Sequence, residues 1–558
     1  MSLHPQPFPA LPEDTARVAK AAFKRKGNIY VTIGDQLGSL FADDDFAELY
    51  ASDGKPAVSP NLLALVTVFQ FMENLPDRDA ADAVRARIDW KYALHLSLTD
   101  MGFDASVLSE FRERLVRHAA AQQMFEHVLQ RLQGLDLLRK GGKQRTDATA
   151  VLAATELLNR VQLVAETMRL ALEELADYRP EWLRSIALPH WYERYSLVLT
   201  GFRLPKTKAQ QEALALAIAA DGFYLLGAIA GPDAPSQAAS LPTVLILVQV
   251  WQQQFEQQDD GPHWRSKHSK PAPAEVIATP HDPDVRYTSH DNKAWTGYQI
   301  HWTETCDADC PHLITHVATP AATTSDVDLV PQIHADLAQL DLLPSEHFVD
   351  AGYTSADNIL DSHNDYGVTL IGPVSPGGNW QAGLPDGITQ DQFRIDWAEQ
   401  FATCPNGQRS ARWSSTTDAA GGTTVSIHFA KAVCEACPLR QRCTKSTQTG
   451  RSLRLGPNYA VLQAAREQQQ TAAFRLKYAL RVGIEGTISA AVRQHGARRA
   501  RYIGQTKTHT QALLTAIAIN LRRTALWLMG MRPSKTRPAG LACLTPTQFA
   551  AQCLPAES

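Results

Sequence analysis

Residues 345–355 read SEHFVDAGYTS, and this short stretch sets the expected fold class. Three residues with strand character lead directly to an acid, Asp350. Gly352 then interrupts the strand, and Ser355 is suited to cap a following helix. A carboxylate at the carboxyl end of a buried strand is where an α/β sheet presents functional side chains. The stretch therefore predicts an α/β fold with Asp350 at a candidate site.

The flanking sequence predicts, in chain order, three strands, a helix, a strand, a helix and a final strand. Outside the first stretch, the ranges that carry these patterns are 143–154, 295–303, 312–318, 326–340 and 368–374. The first of them, KQRTDATAVLAA, brings a basic loop into a strand that is predicted to end near a second acid, Asp147. The basic residues of this loop are interpreted either as phosphate contacts or as a solvated turn, and they are Arg139, Lys140, Lys143 and Arg145.

A third acid stands alone in a strongly basic segment. Residues 475–523 contain ten Lys or Arg and a single acid, Glu485, although the whole chain has a formal net charge of −4. At about 100° per residue, Tyr478, Arg481 and Glu485 fall on one helical face. One interpretation is an i,i+4 ion pair on a solvated helix. The other is a carboxylate that holds a divalent metal ion against a phosphate backbone.

Composition restricts the classes of protein that fit. A chain of 558 residues with 44% hydrophobic content can bury several cores, so more than one domain is expected. No run of about 18 apolar residues is present, and the amino terminus lacks the pattern of a signal peptide. These features predict a cytosolic protein without a membrane partner. The slight net acidity does not exclude nucleic acid, because local charge clusters determine binding.

Helical patterns dominate the rest of the chain. The first 134 residues are predicted to be helical, with Ser59 and Pro60 as a cap and first-turn pair. A block between the first strand and the others repeats apolar residues every three to four positions. The helices predicted in this block span 155–178, 208–226 and 241–258. We interpret the block as a helical insertion after the first strand.

The cysteines form a second pattern. Four of the eight follow the order C, then C-x2-C-x5-C, and they are Cys404, Cys434, Cys437 and Cys443. Thiolates at this spacing can bind one tetrahedral Zn²⁺ with a structural role, and His428 is an alternative ligand. Disulfides are the rival interpretation, which a reducing cytosol disfavours.

The other four cysteines have weaker signals. Cys306 and Cys310, in CDADC, are interpreted as ordinary thiols or as a second metal site. Cys543 and Cys553 lie in a Pro-rich tail and are expected to have no chemical role.

The three acids follow one another in the order Asp147, Asp350 and Glu485, and Tyr478 and Arg481 precede Glu485 with the spacing Y-x2-R-x3-E. In this pattern the chain resembles the DDE transposases of bacterial insertion sequences, and more narrowly their 1182 branch. The similarity covers residues 20–530. The other stretches of the chain that carry the similarity are DWKYALHLSLTDMGFDASVLSEFRERL, WTGYQIHWTETCDADCPHLITHV, CEACPLRQRC and THTQALLTAIAINLRR. The family pattern continues with a Lys or Arg seven residues after the Glu, where this chain has Val492 followed by Arg493.

This resemblance implies a ribonuclease H-like mixed sheet with helices, an α-helical N-terminal domain, a helical insertion and a small Cys-rich insertion. The implied domains are, in chain order, 1–134 (helical, for DNA-end binding or dimerisation), 135–153 (first catalytic strand), 154–280 (helical insertion), 281–374 (ribonuclease H-like core), 375–460 (Cys-rich, zinc-binding), 461–530 (core helices with Glu485) and 531–558 (tail).

The resemblance also implies an activity and its residues. The activity is metal-dependent DNA strand cleavage and strand transfer, with Asp147, Asp350 and Glu485 as catalytic residues that hold two Mg²⁺ ions, for which Mn²⁺ can substitute. DNA contacts are implied for Tyr478, Arg481, Arg493, Arg498, Arg499, Arg501, Lys507, Arg145 and Lys143. The implied partners are double-stranded DNA, as transposon ends and target, and a second copy in a homodimeric synaptic complex.

Two other functions stay open at this point. A domesticated DNA-binding protein on the same scaffold would bind DNA without cleaving it. A zinc-stabilised scaffold without a nucleic acid partner would show no salt-dependent DNA binding.

Overall fold

The computed structural model describes residues 1–532, except 156–157, 202, 260, 267–268, 270, 291–292, 375–379, 418–422 and 457. Nearly all of the predicted tail, including Cys543 and Cys553, lies outside the described residues. The described part combines many helices with one mixed sheet and several small antiparallel sheets. This confirms the predicted α/β class and the helical amino-terminal region.

The strands are numbered here in chain order. They are β1 (Lys143–Leu152), β2 (Phe255–Gln258), β3 (Gly261–Trp264), β4 (Arg286–His290), β5 (Lys293–Thr305), β6 (Ile314–Ala318), β7 (Glu346–Phe348), β8 (Thr369–Ile371), β9 (Arg394–Asp396), β10 (Phe401–Thr403), β11 (Arg412–Thr417), β12 (Thr423–His428) and β13 (Ser452–Leu455).

The α-helices are numbered in the same way. They are α1 (Glu13–Ala22), α2 (Ile29–Leu37), α3 (Pro60–Glu73), α4 (Asp77–Ala86), α5 (Ile88–Ala93), α6 (Ser106–Arg117), α7 (Ala120–Gln133), α8 (Arg160–Tyr178), α9 (Pro180–Ile186), α10 (Trp191–Tyr195), α11 (Lys208–Ile229), α12 (Pro242–Gln254), α13 (Val330–Gln339), α14 (Ala356–Tyr366), α15 (Lys431–Glu435), α16 (Arg440–Cys443), α17 (Tyr459–Gln469), α18 (Ala472–Tyr478), α19 (Gly483–Gln494) and α20 (Gln505–Leu528). Short 3-10 turns occupy Asp43–Leu49, Ala238–Ser240, Asp326–Leu329, Trp380–Gly383, Gln390–Gln392 and Ala479–Val482.

The main sheet has the topology of a ribonuclease H-like fold. Its strand order is β4-β5-β1-β7-β8, and β6 also pairs with β5. The pairs β1–β5 and β5–β6 are antiparallel, whereas β1–β7 and β7–β8 are parallel. Helices α13 and α14 supply the connections between β6, β7 and β8, as a parallel arrangement requires. The predicted mixed sheet with helices is therefore confirmed.

Two strand predictions were wrong in their end points. We expected β1 to end near Asp147, but it continues to Leu152 because every residue from Gln144 to Leu152 pairs with a partner on β5. Asp147 thus lies within the strand rather than at its end. Asp350 was predicted to end its strand, but β7 ends two residues earlier, at Phe348, so Asp350 lies just beyond the strand.

The amino-terminal helices and the main sheet share one continuous hydrophobic core. Helix α20 lies at its centre and packs on α3, α7 and β6. The predicted cap of α3 is present, since the Ser59 hydroxyl accepts a hydrogen bond from the Leu62 amide (3.4 Å) with Pro60 in the first turn. Helix α20, from near the carboxyl end, therefore ties the amino-terminal helices to the sheet.

The helices between β1 and β4 have a core of their own. Helix α11 crosses α12 at Gly222, where a Cβ atom would lie 2.2 Å from the Trp251 ring, so only glycine permits this packing. The prediction of one helix over 241–258 was wrong beyond Gln254. The chain turns there into the β2–β3 hairpin, in which the Phe255 and Trp264 rings stack with centroids 4.5 Å apart.

Among the described residues, α11 is long and apolar enough to cross a membrane by length and composition alone. That is weak evidence, because a core helix of a soluble protein passes the same test. Buried α11 residues such as Ile218 and Leu225 belong to the core formed with α8 and α12.

Candidate active site

Asp147 lies on β1, and Asp350 lies just beyond the end of the neighbouring parallel strand, β7. The register of β1 and β7 pairs Arg145 with Phe348, and Asp147 and Asp350 each follow two residues later. Side chains two residues apart on a strand share a face, so the pairing brings the two carboxylates together. The Asp147 side chain is 14% exposed, and that of Asp350 is 38% exposed.

The third acid approaches from a different part of the chain. We predicted that Tyr478, Arg481 and Glu485 would share a single helical face. Instead, Tyr478 ends α18, Arg481 lies in the 3-10 turn Ala479–Val482, and Glu485 lies in the first turn of α19. The side chains still converge, because Arg481 Nη1 donates to Glu485 Oε1 at 2.9 Å.

The Arg481 guanidinium joins all three acids. Its Nη2 atom lies 2.8 Å from Asp147 Oδ2 and 3.7 Å from Asp350 Oδ2, while Nη1 contacts Glu485. Only 13% of the Arg481 side chain is exposed, so the positive charge stays among the carboxylates. The i,i+4 ion pair that we considered as the simpler interpretation is present, but it is one of three contacts.

The electrostatics of the site centre on Asp147. Desolvation by burial raises its pKa from 3.8 to about 6, and the charges of Asp350 and Glu485 act in the same direction. Arg481 and the hydrogen bond from the Ala148 amide oppose this rise. Burial, with a smaller effect of the two neighbouring carboxylates, therefore leaves Asp147 partly protonated near pH 6.

We expect Asp147→Asn to stabilise the metal-free protein at neutral pH. Because the folded-state pKa is raised from 3.8 to about 6, the stability associated with this carboxyl is present at low pH and is lost as the pH rises through that interval. Above about pH 6 the variant should exceed the wild type by about 1–3 kcal/mol. The check is the difference between the urea unfolding midpoints of variant and wild type, measured in EDTA across this pH range.

Asp53→Asn, which replaces an exposed aspartate near the amino terminus, provides the control. The difference between its urea unfolding midpoint and that of the wild type should not change over the same pH interval. If the Asp147→Asn difference were equally independent of pH, burial would not be holding a proton on Asp147.

The carboxylate oxygens of the three acids suit a hard divalent cation such as Mg²⁺. In the described part of the chain, however, no group of three or more His, Cys, Asp or Glu side chains is arranged to hold a metal ion. The Arg481 guanidinium supplies the positive charge among these carboxylates instead. The donor set therefore fits a metal ion on condition that Arg481 releases at least part of its contacts.

Tyr478 borders the same site. Its ring stacks on Phe474 with centroids 5.5 Å apart and packs on a small apolar cluster that includes Phe348. Burial raises the pKa of Tyr478 to about 12, against the opposing charge of Arg481. The hydroxyl is therefore protonated at neutral pH, and it can donate a hydrogen bond beside the acids.

Arg145 is a correction to the predicted DNA contacts. Its side chain is only 5% exposed, and Nη2 forms an ion pair with Glu304 Oε1 at 2.6 Å. A buried guanidinium with a carboxylate partner cannot reach a DNA phosphate. The basic pattern of the loop gave no indication of this, because the partner lies on β5, far away in sequence.

The neighbouring basic residues of that loop pair with acids at the surface. Arg139 contacts Asp309 (2.7 Å), Lys140 contacts Asp341, and Lys143 lies 3.7 Å from Glu346. Of the two interpretations of this loop, these contacts favour a solvated basic turn over free phosphate-binding side chains.

The other predicted DNA contacts differ in accessibility. Arg501 is partly buried, where its guanidinium donates to Asn74 and lies over the Phe71 ring (4.6 Å). It thus packs against the amino-terminal helices. The exposed cations of this set extend from the end of α19 into α20, and they are Arg493, Arg498, Arg499 and Lys507.

The four cysteines of the CPNG and C-x2-C-x5-C pattern gather around one small cavity of about 30 Å³. Their thiols are free, so the disulfide alternative is not supported by the described residues. Burial raises the pKa of Cys443 to about 11, although Arg451 opposes the rise. They do not form a metal site as they stand, so zinc remains a prediction. Cys306 and Cys310 are buried free thiols.

Sequence reasoning missed Glu304. This residue lies on β5 opposite Arg145 and is 0% exposed. A signal was present, because Glu304 continues the alternation of Tyr298, Ile300 and Trp302 near the end of β5, and an acid at such a buried position needs a partner.

Asp326 was also not predicted. A Cβ atom on residue 352 would lie 2.8 Å from Asp326 Oδ2 and 3.1 Å from Asp350 Oδ1, so Gly352 permits the two acids to approach. Asp326 Oδ1 also lies 3.9 Å from Nε2 of the buried His301. The site therefore contains more acid than the three residues found in the sequence.

Comparison with known proteins yields two matches to protein families. Residues 403–525 match a transposase DDE domain, and residues 18–114 match a transposase domain of the DUF772 family. The first match includes Tyr478, Arg481 and Glu485, whereas Asp147 and Asp350 lie outside both. No curated protein and no solved structure matches the chain.

The two matches agree with the fold. In the sequence, the strands of the ribonuclease H-like sheet lie between the helical region that matches the DUF772 transposase domain and the later segment that matches the transposase DDE domain. Neither match distinguishes branches, so membership of the 1182 branch stays a prediction. Similarity to these two transposase domains supports the predicted resemblance of the chain to the DDE transposases of insertion sequences.

Proposed function

We propose that this protein cleaves DNA strands at the ends of an insertion sequence and joins them to a target by metal-dependent phosphoryl transfer. The observation that carries the proposal is the convergence of Asp147, Asp350 and Glu485 on the Arg481 guanidinium beside β7. Without a metal ion, such a group of carboxylates would repel a phosphate backbone.

We assign the three acids to two Mg²⁺ ions, for which Mn²⁺ can substitute. Bound ions of this kind lower the pKa of an attacking water or 3′-hydroxyl and stabilise the charge on the leaving oxygen. The role of the three acids themselves is to hold the positive charge of the ions at a fixed place between β1, β7 and α19. Asp147, the most buried of the three side chains, must be ionised for this role, so activity should fall below about pH 6.

We assign Arg481 and Tyr478 to the DNA phosphate. A planar guanidinium can donate two parallel hydrogen bonds to phosphate oxygens, which a lysine cannot. Since Arg481 lies among the acids, a phosphate that draws it away would leave their oxygens open to cations. The protonated Tyr478 hydroxyl can add one more hydrogen bond.

The exposed cations from the end of α19 to the start of α20 support a DNA-binding surface. They are Arg493, Arg498, Arg499 and Lys507. Contacts from such side chains to phosphates position the duplex without reading its sequence. Sequence recognition of the element's ends is assigned to the amino-terminal helices, where dimerisation is the competing role.

Lys507→Gln is expected to weaken DNA binding about equally for all sequences. Loss of one phosphate contact should reduce the slope of log K against log salt concentration by about 1. The measurement is fluorescence anisotropy with labelled duplexes over a series of salt concentrations. Lys206→Gln, which removes an exposed lysine in the helical insertion, is the control and should leave the slope unchanged. An unchanged slope for Lys507→Gln would remove Lys507 from the DNA surface.

Further assignments accompany this proposal. We expect two subunits in the synaptic complex, because two DNA ends must be held together. We assign a structural Zn²⁺ to Cys404, Cys434, Cys437 and Cys443, supported by their arrangement around one cavity. The 1182 branch and a cytosolic location are part of the same proposal.

The experiment that tests the proposed function is strand cleavage in vitro. Labelled duplex DNA that carries the element's ends is incubated with the full chain in Mg²⁺, in Mn²⁺ or in EDTA. The proposal predicts nicking at the ends with either metal and none in EDTA. Binding of the ends without nicking would instead favour the non-cleaving DNA-binding protein, and no salt-dependent binding would favour the zinc-stabilised scaffold.

A further inference from the structure

A fully buried carboxylate lies beside the proposed active site without belonging to it. Glu304 is 0% exposed and accepts hydrogen bonds from Arg145 Nε (2.8 Å), from Thr487 Oγ1 (2.6 Å) and from Arg523 Nη1 (2.7 Å). We call these four residues the Glu304 cluster. Its members come from β5, β1, α19 and α20, so the cluster joins four elements at one point.

Arg145 connects this cluster to the segment that carries Arg481. Its Nη1 atom donates to the carbonyl of Leu480 at 2.5 Å, one residue before Arg481. A Cβ atom on Gly483 would lie 2.0 Å from the same Nη1 atom. The start of α19 can therefore rest on the Arg145 guanidinium only because residue 483 has no side chain.

Thr487 connects the cluster to the far side of Glu485. Its hydroxyl donates to Glu304 Oε2 and accepts from Arg523 Nη2 at 2.6 Å. The contacts at Gly483 and Thr487 thus fall two residues before and two residues after Glu485. On β1, Arg145 lies two residues from Asp147, on the same face of the strand.

The contacts of the cluster favour the ionised form of the Glu304 carboxyl. Burial alone would raise the pKa of Glu304, but the guanidiniums of Arg523 and Arg145 and the Thr487 hydrogen bond lower it. A buried ion cluster is a poor source of stability compared with apolar packing, because its charges must be desolvated. Its hydrogen bonds are directional, however, and they fix the register between the elements that they join.

We propose that the Glu304 cluster consists of positioning residues, which hold the backbone of the 479–494 segment, and with it Arg481 and Glu485, in a fixed place beside the strand that carries Asp147. The inference rests on the proposed function, because it assigns the cluster a role in assembling that same acid site. In this role the cluster residues act on the site through the backbone of α19 and β1, not by binding DNA or metal themselves.

The sharpest test uses two glycines of α19. Gly483→Ala inserts a methyl group against Arg145, whereas a Cβ atom on Gly486 would meet nothing within 4 Å, so Gly486→Ala is the matched control. Gly483→Ala is expected to reduce Mg²⁺-dependent cleavage about 10²-fold, since a displacement of about 1 Å has that effect on a catalytic arrangement. It should also weaken Mn²⁺ binding at least tenfold, measured by electron paramagnetic resonance on the DNA-bound protein. Gly486→Ala should match the wild type in both measurements.

A second pair of variants covers the case in which Gly483→Ala does not fold. Thr487→Val keeps the shape of residue 487 but removes its hydrogen bonds, whereas Thr487→Ser retains them. We expect Thr487→Val to lose Mn²⁺ affinity and cleavage, and Thr487→Ser to recover most of both.

The outcomes separate this inference from the proposed function. If the wild type neither cleaves DNA nor binds Mn²⁺ at the acids, the proposed function fails and the inference fails with it. If the wild type does both, while Gly483→Ala equals Gly486→Ala or Thr487→Val equals Thr487→Ser, only the positioning role is overturned.

Discussion

Alanine at Asp147, Asp350 or Glu485 is expected to reduce Mg²⁺-dependent DNA cleavage by at least about 10³-fold. Each acid contributes oxygen atoms to the same place, so the loss of one should disable metal binding by the other two. DNA affinity should change little, because the exposed cations from the end of α19 to the start of α20 are unchanged. The measurement is the rate of nicking of end-bearing DNA, with DNA affinity determined in parallel.

The effect should not come from unfolding. The Asp350 and Glu485 side chains are 38% and 59% exposed, so their truncation leaves no buried cavity. Asp328→Ala, which removes an exposed acid from the turn before α13, is the control and should cleave as the wild type does. Cleavage by Asp350→Ala at the rate of this control would remove Asp350 from the site.

Arg481→Ala is expected to have two effects of opposite sign. Cleavage should fall by about 10²–10³-fold, because a preorganised donor to the phosphate is lost. The DNA-free protein should bind Mn²⁺ more tightly than the wild type, because the guanidinium no longer competes for the oxygens of Asp147 and Glu485. Cleavage assays and Mn²⁺ titration of the free protein measure the two effects.

Arg481→Lys refines the same prediction. Lysine retains the charge but not the planar fork, so most of the loss in cleavage should remain. Arg475→Ala, which removes an exposed arginine of α18, should change neither quantity. If Arg481→Ala lowered Mn²⁺ affinity in the free protein, Arg481 would support the metal site rather than compete for it.

The sequence was sufficient to predict those features of the structure that depend on residues close together in the chain. The strand that ends before Asp350, the following turn and the capped helix α14 were predicted from residues 345–355 alone, because each depends on its neighbours in the chain. The i,i+4 contact between Arg481 and Glu485 was predictable for the same reason. The order of strands and helices then limited the sheet to few topologies.

Long-range partners were not predictable from local sequence. The basic loop before β1 resembles a phosphate-binding turn, yet Arg145 points into the protein because Glu304 on β5 neutralises it. The hairpin after Gln254 was missed because QQQFEQQ continues a helical pattern, while Phe255 has its partner at Trp264. In both places a tertiary contact outweighed the local preference.

The central claim is that Asp147, Asp350 and Glu485 together bind the catalytic metal ions. The most direct measurement is anomalous X-ray diffraction from crystals of the full chain bound to an end-bearing duplex and Mn²⁺. We predict Mn²⁺ peaks at the oxygens of all three acids, with Arg481 turned from them to a DNA phosphate. Mn²⁺ bound elsewhere, or at the cysteines alone, with Arg481 still joining the three carboxylates, would contradict the claim.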